Sequence, residues 1–180
     1  MTFFIETKNL ILREIRISDE DGFFRLDSDK RVHKYLGNKP IKTKEEAKNI
    51  ISFVNLQYKE RGIGRFATIE KSSGKFIGWS GLKLNKGEKE LLNGHTNFID
   101  IGYRFMPEFW GKGYATEASL ACLDYGFKTL NYKIIYGAAD VENIASNKVL
   151  KKIGLHFVNE FTWRETLCNW YEIKKKNYGK

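Results

Sequence analysis

The chain has 180 residues, 42% of them hydrophobic and 29% charged, with a formal net charge of +9. That length fits a single domain over residues 1–180 with a real core, and that balance excludes a disordered chain. No run approaches the ~18 apolar residues of a membrane span, the start carries no export signal, and two cysteines, Cys122 and Cys168, are too few for a disulfide framework, so a reduced cytoplasmic setting is expected.

Residues 7–16, TKNLILREIR, alternate apolar and polar side chains and predict a strand. Ser18 before DEDGFFRL predicts a helix start with acids in its first turn. DKRVHKYLG (29–37) predicts a short helix closed by Gly37, and Pro40 breaks the chain. Thr43 followed by Glu46, with Gly62 at the far end, predicts a capped helix whose apolar face carries Ile50, Phe53, Val54 and Tyr58.

From Gly64 the texture turns to strand. GRFATIEK and KFIGWSGLKLN, joined by SSG, predict a hairpin. KGEKELLNGHT (86–96) reads as a polar loop and NFIDIGYRF (97–105) as a strand. A helix is expected over 116–129, a strand at KIIYGAAD, a helix over 143–154, and two closing strands at HFVNEF and WYEIKKK. The main elements run β-α-α-β-β-β-α-β-α-β-β. That order predicts a mixed α+β sheet and not the regular βα alternation of a doubly wound nucleotide fold.

The stretch EFWGKGYATEAS (108–119) joins a strand, a glycine turn and a helix start, with a cation in the turn. A helix N-terminus carries unpartnered amides and about half a positive charge. Gly111 and Gly113 let backbone approach a ligand, and Lys112 adds a cation, so the segment suits a pyrophosphate. A Walker loop fails here, because tyrosine follows Gly113. A dinucleotide fingerprint fails too, because Thr116 stands at the third glycine and no acid follows until Asp140. His33, His95 and His156 show no ligand spacing, so no metal is expected. Cys122, inside the apolar run ASLACLDYGF, reads as a buried core thiol.

IDIGYRFMPEFWGKGYATEASLACL (99–123) resembles the acetyl-CoA-binding motif of the GNAT superfamily of N-acetyltransferases. Trp110 departs from the usual arginine or glutamine at the motif's first position, as is common in the ribosomal-protein N-terminal acetyltransferase (Rim-type) branch. ENIASNKVLKKIGLHF resembles the second family motif, with Leu155 and His156 where Gly-Phe usually stands, and TKNLILREIRISDEDGFF resembles that branch's opening. The resemblance implies a mixed, mostly antiparallel sheet, flanked by helices and splayed after Phe105. Phe105 would offer main-chain groups to pantetheine. Gly111, Lys112, Gly113, Tyr114, Ala115 and Thr116 would wrap the pyrophosphate, with Lys148, Lys151 and Lys152 as weaker candidates for a phosphate contact. Asn143 would contact pantetheine, Ser146 would protonate the leaving thiolate, and Asp100 would accept the amine's proton.

The implied acceptor is a primary amine: a protein N-terminus, including one on a ribosome-associated protein, or a small amine such as a polyamine or an antibiotic. The basic balance disfavours a polycation unless acids line the pocket. The reading from another class is a basic RNA-binding module, which 13 phenylalanines, nine tyrosines and four tryptophans would suit. No KGFGFV-like stacking motif accompanies them.

Overall fold

The structure is a computed structural model and describes residues 3–179. Its strands are β1 (Phe4–Glu6), β2 (Leu10–Glu14), β3 (Arg65–Glu70), β4 (Lys75–Asn85), β5 (Phe98–Phe105), β6 (Ile134–Asp140), β7 (His156–Trp163) and β8 (Thr166–Lys174). They form one sheet in the order β1-β2-β3-β4-β5-β6-β8-β7. Every neighbouring pair is antiparallel except β5 with β6. Among the described residues no helix is long and apolar enough to cross a membrane.

Five helices flank this sheet: α1 (Glu20–Asp27), α2 (Lys30–His33), α3 (Lys44–Arg61), α4 (Tyr114–Asp124) and α5 (Ile144–Lys152). In α3, Thr43 and Glu46 cap each other's backbone amides at 3.3 and 2.8 Å. Gly62 ends the helix in the left-handed region at φ 69°, where a glycine meets no Cβ penalty.

Four local expectations need correction. The α1 start is organised by Asp19, which accepts from the Arg16 amide at 2.8 Å and from Arg13, and not by Ser18. Of the expected α3 face, Val54 is buried and Ile50 and Tyr58 pack against the core beside Ala47, Ile51 and Gln57, whereas Phe53 is half exposed. Helix α4 begins at Tyr114 and hands over at Tyr125 to a π turn through Thr129. The short strand β1, paired with β2, has no counterpart among the expected elements.

The core fills both sheet faces. On one side Leu82, Ile101, Ala118, Leu123, Phe127 and Leu150 pack beneath α4 and α5. On the other Ile15, Phe23, Ala47, Ile51, Val54 and Ala67 pack beneath α1 and α3. Each fully buried aliphatic side chain contributes about 1.5–3 kcal/mol.

The β5–β6 seam positions the site. Ladder pairing there is confined to Asp100 opposite Tyr136, while β5 stays paired to β4 from Asn85–Phe98 up to Gly78–Phe105. Beyond Asp100, β5 therefore follows β4 and parts from β6, leaving a wedge open toward Phe105.

Candidate active site

At the mouth of the wedge lies a cavity of about 650 Å³, within the usual size of a small-molecule site. Its lining draws on the end of β5 (Tyr103, Arg104, Phe105), the glycine turn, the first turn of α4, the first turn of α5, and Arg31, Val32, Lys34, Tyr35 and Leu36 of α2 and its exit.

The glycine turn is built as an open cradle. Gly111 and Gly113 sit at φ 75° and 83°, and a Cβ on either would meet nothing within 4 Å. Their conformation requires glycine, and the space above them is free for a ligand. Gly113 caps α4 without any side-chain bond, and the first backbone bond into the helix runs from the Glu117 amide to the Gly113 carbonyl at 3.0 Å. The amides of Tyr114, Ala115 and Thr116 thus lack helical partners at the positive end of the helix dipole, and these three residues line the cavity. Lys112 is not part of that lining. Its ammonium stands 4.9 Å from the Phe109 ring centroid.

The last peptide of β5 points the same way. The Met106 amide donates to the Ile77 carbonyl of β4 at 3.0 Å. The Phe105 carbonyl, trans across that planar peptide, therefore faces the wedge. There it accepts from the indole Nε1 of Trp110 at 2.7 Å. A side chain that the sequence marked only as a motif departure covers the backbone acceptor expected to meet pantetheine.

The foot of α5 forms the opposite wall. Asn143 caps the helix, its side-chain oxygen accepting from the Ser146 amide at 3.1 Å. Its side-chain NH₂ is not consumed by this bond, so capping leaves donors for a ligand. The hydroxyls of Ser146 and Tyr103 lie 3.0 Å apart, and both residues line the cavity. Burial pushes the Tyr103 phenol up to about 12, against the opposing pull of the Ser146 bond. Tyr103 therefore keeps its proton at neutral pH. Nothing in the sequence pattern singled it out beyond its place on the strand.

Asp100 lies elsewhere. Its carboxylate accepts from Arg65 Nη2 at 2.6 Å and from Asn85 Nδ2 at 2.9 Å, and it takes no part in the cavity lining. Lys148, Lys151 and Lys152 also stay out of it. The Cys122 thiol is fully buried, which pushes its pKa up to about 12 and leaves it a core group.

A sheet splayed beside an uncapped helix N-terminus, with a carbonyl facing the gap, is the arrangement that the resemblance to acetyl-CoA-binding transferases implies. The model of the Acetyltransferase (GNAT) domain matches residues 9–156. The chain belongs to the GNAT family of N-acetyltransferases. It is 36% identical, over 84% of its own length and 81% of the other's, to a Bacillus subtilis (strain 168) protein named as the uncharacterized N-acetyltransferase YnaD. Its fold matches a ribosomal-protein-alanine acetyltransferase from Vibrio fischeri with a TM-score of 0.77 at 19% identity, covering 99% and 100% of the two chains. It matches a spermidine N-acetyltransferase from Vibrio cholerae, solved with CoA and spermine, with a TM-score of 0.75 at 20% identity, covering 96% and 99%.

Proposed function

We propose that the cavity binds acetyl-CoA and that the protein transfers its acetyl group to a primary amine, a protein N-terminus being the preferred acceptor. The observation that carries this reading is the pairing of free α4 amides over open glycines with a Phe105 carbonyl facing the same wedge. Acetyl-CoA brings an activated acetyl thioester.

The chain's own residues supply the rest. Gly111, Gly113, Tyr114, Ala115 and Thr116 hold the pyrophosphate through backbone amides, with Lys112 as a mobile cation at the outer rim. Phe105 and the Asn143 side chain hold the pantetheine arm, which adds to the strand edge as Trp110 yields the carbonyl. Ser146 would give a proton to the departing sulfur and recover one from water, with Tyr103 keeping its hydroxyl aimed. Asp100 is committed to Arg65 and Asn85, so we assign it to holding the strand, and the amine's proton leaves to water.

Calorimetry tests the cradle. Gly113→Val puts a β-branched side chain in the left-handed region and in the path of a phosphate. Acetyl-CoA affinity should fall at least tenfold, about 1.4 kcal/mol, with the circular dichroism of the wild type retained. An unchanged affinity would remove the glycine turn from the site.

A further inference from the structure

Resting on the acetyl-CoA reading above, we infer that this site selects an amine flanked by negative charge, and rejects polycations, through a cationic wall made by Arg31, Lys34 and Arg104. The cavity lining contains these three cations and neither aspartate nor glutamate. The acids paired with these cations are not part of the lining. Asp27, at the end of α1, is 3% exposed at its side chain and binds Arg104 Nη1 at 2.6 Å. Asp29 binds Arg31 at 2.6 Å while capping α2. Glu108, at the rim, is tied to Arg25, and Glu142 is outside the lining.

Arg31 and Arg104 thus line the cavity, each held in an ion pair whose acid does not line it. Lys34 stands over the Tyr35 ring at 4.9 Å, and no ion pair involves it among the described residues. Arg104 is also fixed in direction by stacking over Trp79 at 5.0 Å, and its Nε is buried without a partner. A carboxylate beside the acceptor amine would find donors on this wall, and an ammonium at the same place would meet like charge.

The phosphates of the cofactor could claim the same cations, but they are assigned to Gly111–Thr116, whereas Arg104 adjoins Phe105, where the thioester end belongs. A polycation reader needs the opposite lining: carboxylates facing a run of ammonium groups.

The test offers four acceptors with acetyl-CoA and follows product by mass spectrometry: a peptide with three glutamates after its first residue, the same peptide with three lysines, free glutamate, and spermidine. The glutamate peptide should exceed the lysine peptide and spermidine in kcat/KM by about tenfold or more, roughly 1.4 kcal/mol of discrimination. Turnover of free glutamate above the acidic peptide would keep the charge rule and assign the source to an amino acid. Lys34→Glu, at an exposed position, should narrow the peptide ratio while leaving acetyl-CoA affinity unchanged in calorimetry. Equal or better use of spermidine by the wild type overturns the inference while the transferase reading stands. So does a Lys34→Glu variant that loses acetyl-CoA affinity and keeps its acceptor ratio, because the wall would then serve phosphate. Failure of the wild type to bind acetyl-CoA overturns the cofactor reading and this inference with it.

Discussion

Strand β5 has two faces, and they do different work. Ile101, Tyr103 and Phe105 turn toward α4 and α5, into the main core and, at Tyr103, onto the Ser146 hydroxyl. Asp100, Gly102 and Arg104 turn the other way, where the side chains form ion pairs: Asp100 with Arg65 and Arg104 with Asp27. Arg65 and Arg104 both stand over the Trp79 ring, at 5.6 and 5.0 Å. Alternation of side chains along a strand is enough to produce this division. It teaches that adjacent residues can differ wholly in kind of role. On the first face a lost hydroxyl should cost rate, and on the second the loss of the Asp100 charge should cost stability.

The largest expected effect lies on the first face. Ser146→Ala should cut turnover about 10²-fold, within the range of positioned proton transfer, with acetyl-CoA affinity unchanged in calorimetry. Tyr103→Phe keeps the ring and removes only the hydroxyl, so it should act through the same step. If Tyr103 works by aiming Ser146, the double variant should be no slower than Ser146→Ala alone. Single-turnover rates with bound cofactor decide this. Losses that multiply would make the two hydroxyls independent. A loss of affinity without loss of rate would reduce Ser146 to a contact.

Asp100→Asn should show the opposite pattern. The Asp100–Arg65 pair is mostly buried, with side chains 22% and 13% exposed. Removing the charge leaves Arg65 short of a charged acceptor, at a cost of about 1–3 kcal/mol. For a chain of this size each kcal/mol lowers the melting temperature by about 2–4 °C. Turnover per folded molecule should change only a few-fold, and the rate–pH profile should keep its shape. A 10²-fold loss of turnover at unchanged melting temperature, shrinking at high pH where the amine arrives neutral, would restore Asp100 as the proton acceptor.

The same contrast explains what could be read without coordinates. The proposed cofactor side is nearly contiguous: Phe105 to Thr116 form one strand end, one turn and one helix start, so local signals are enough to suggest it. Asn143 and Ser146 were likewise carried by a short motif. The proposed acceptor side is assembled from distant pieces. Arg31 and Lys34 stand in a stretch read only as a short helix, and the fold brings them into one cavity lining with Arg104. Tyr103 was passed over because its partner lies 43 residues away. Trp110 was visible as a motif departure, but its bond to the Phe105 carbonyl depends on the turn's geometry. Asp100 was placed on the correct strand; the sequence does not reveal that Arg65, 35 residues earlier, holds it.

The smallest effect concerns how the cofactor side is anchored. Glu117, in the first turn of α4, accepts from the Thr7 hydroxyl at 2.6 Å, the Asn9 amide at 2.7 Å and Asn9 Nδ2 at 2.8 Å, so it ties α4 to the β1–β2 turn. Burial pushes its carboxyl up, but the hydrogen bonds from Asn9 and Thr7 outweigh burial and hold it below its usual value. A carboxyl depressed in the folded state stabilises the fold fully above the unfolded-chain pKa, about 4.3. That contribution is lost as pH falls through the lower folded value. Stability should therefore be flat with respect to this group from neutral pH down to about 5 and decline below ~4.3. Glu117→Gln should lower the neutral-pH melting temperature slightly and flatten the acid decline. Melting curves of both proteins between about pH 3 and 7 measure it. A decline equally steep in the variant would move the acid sensitivity of this side of the sheet to other carboxylates.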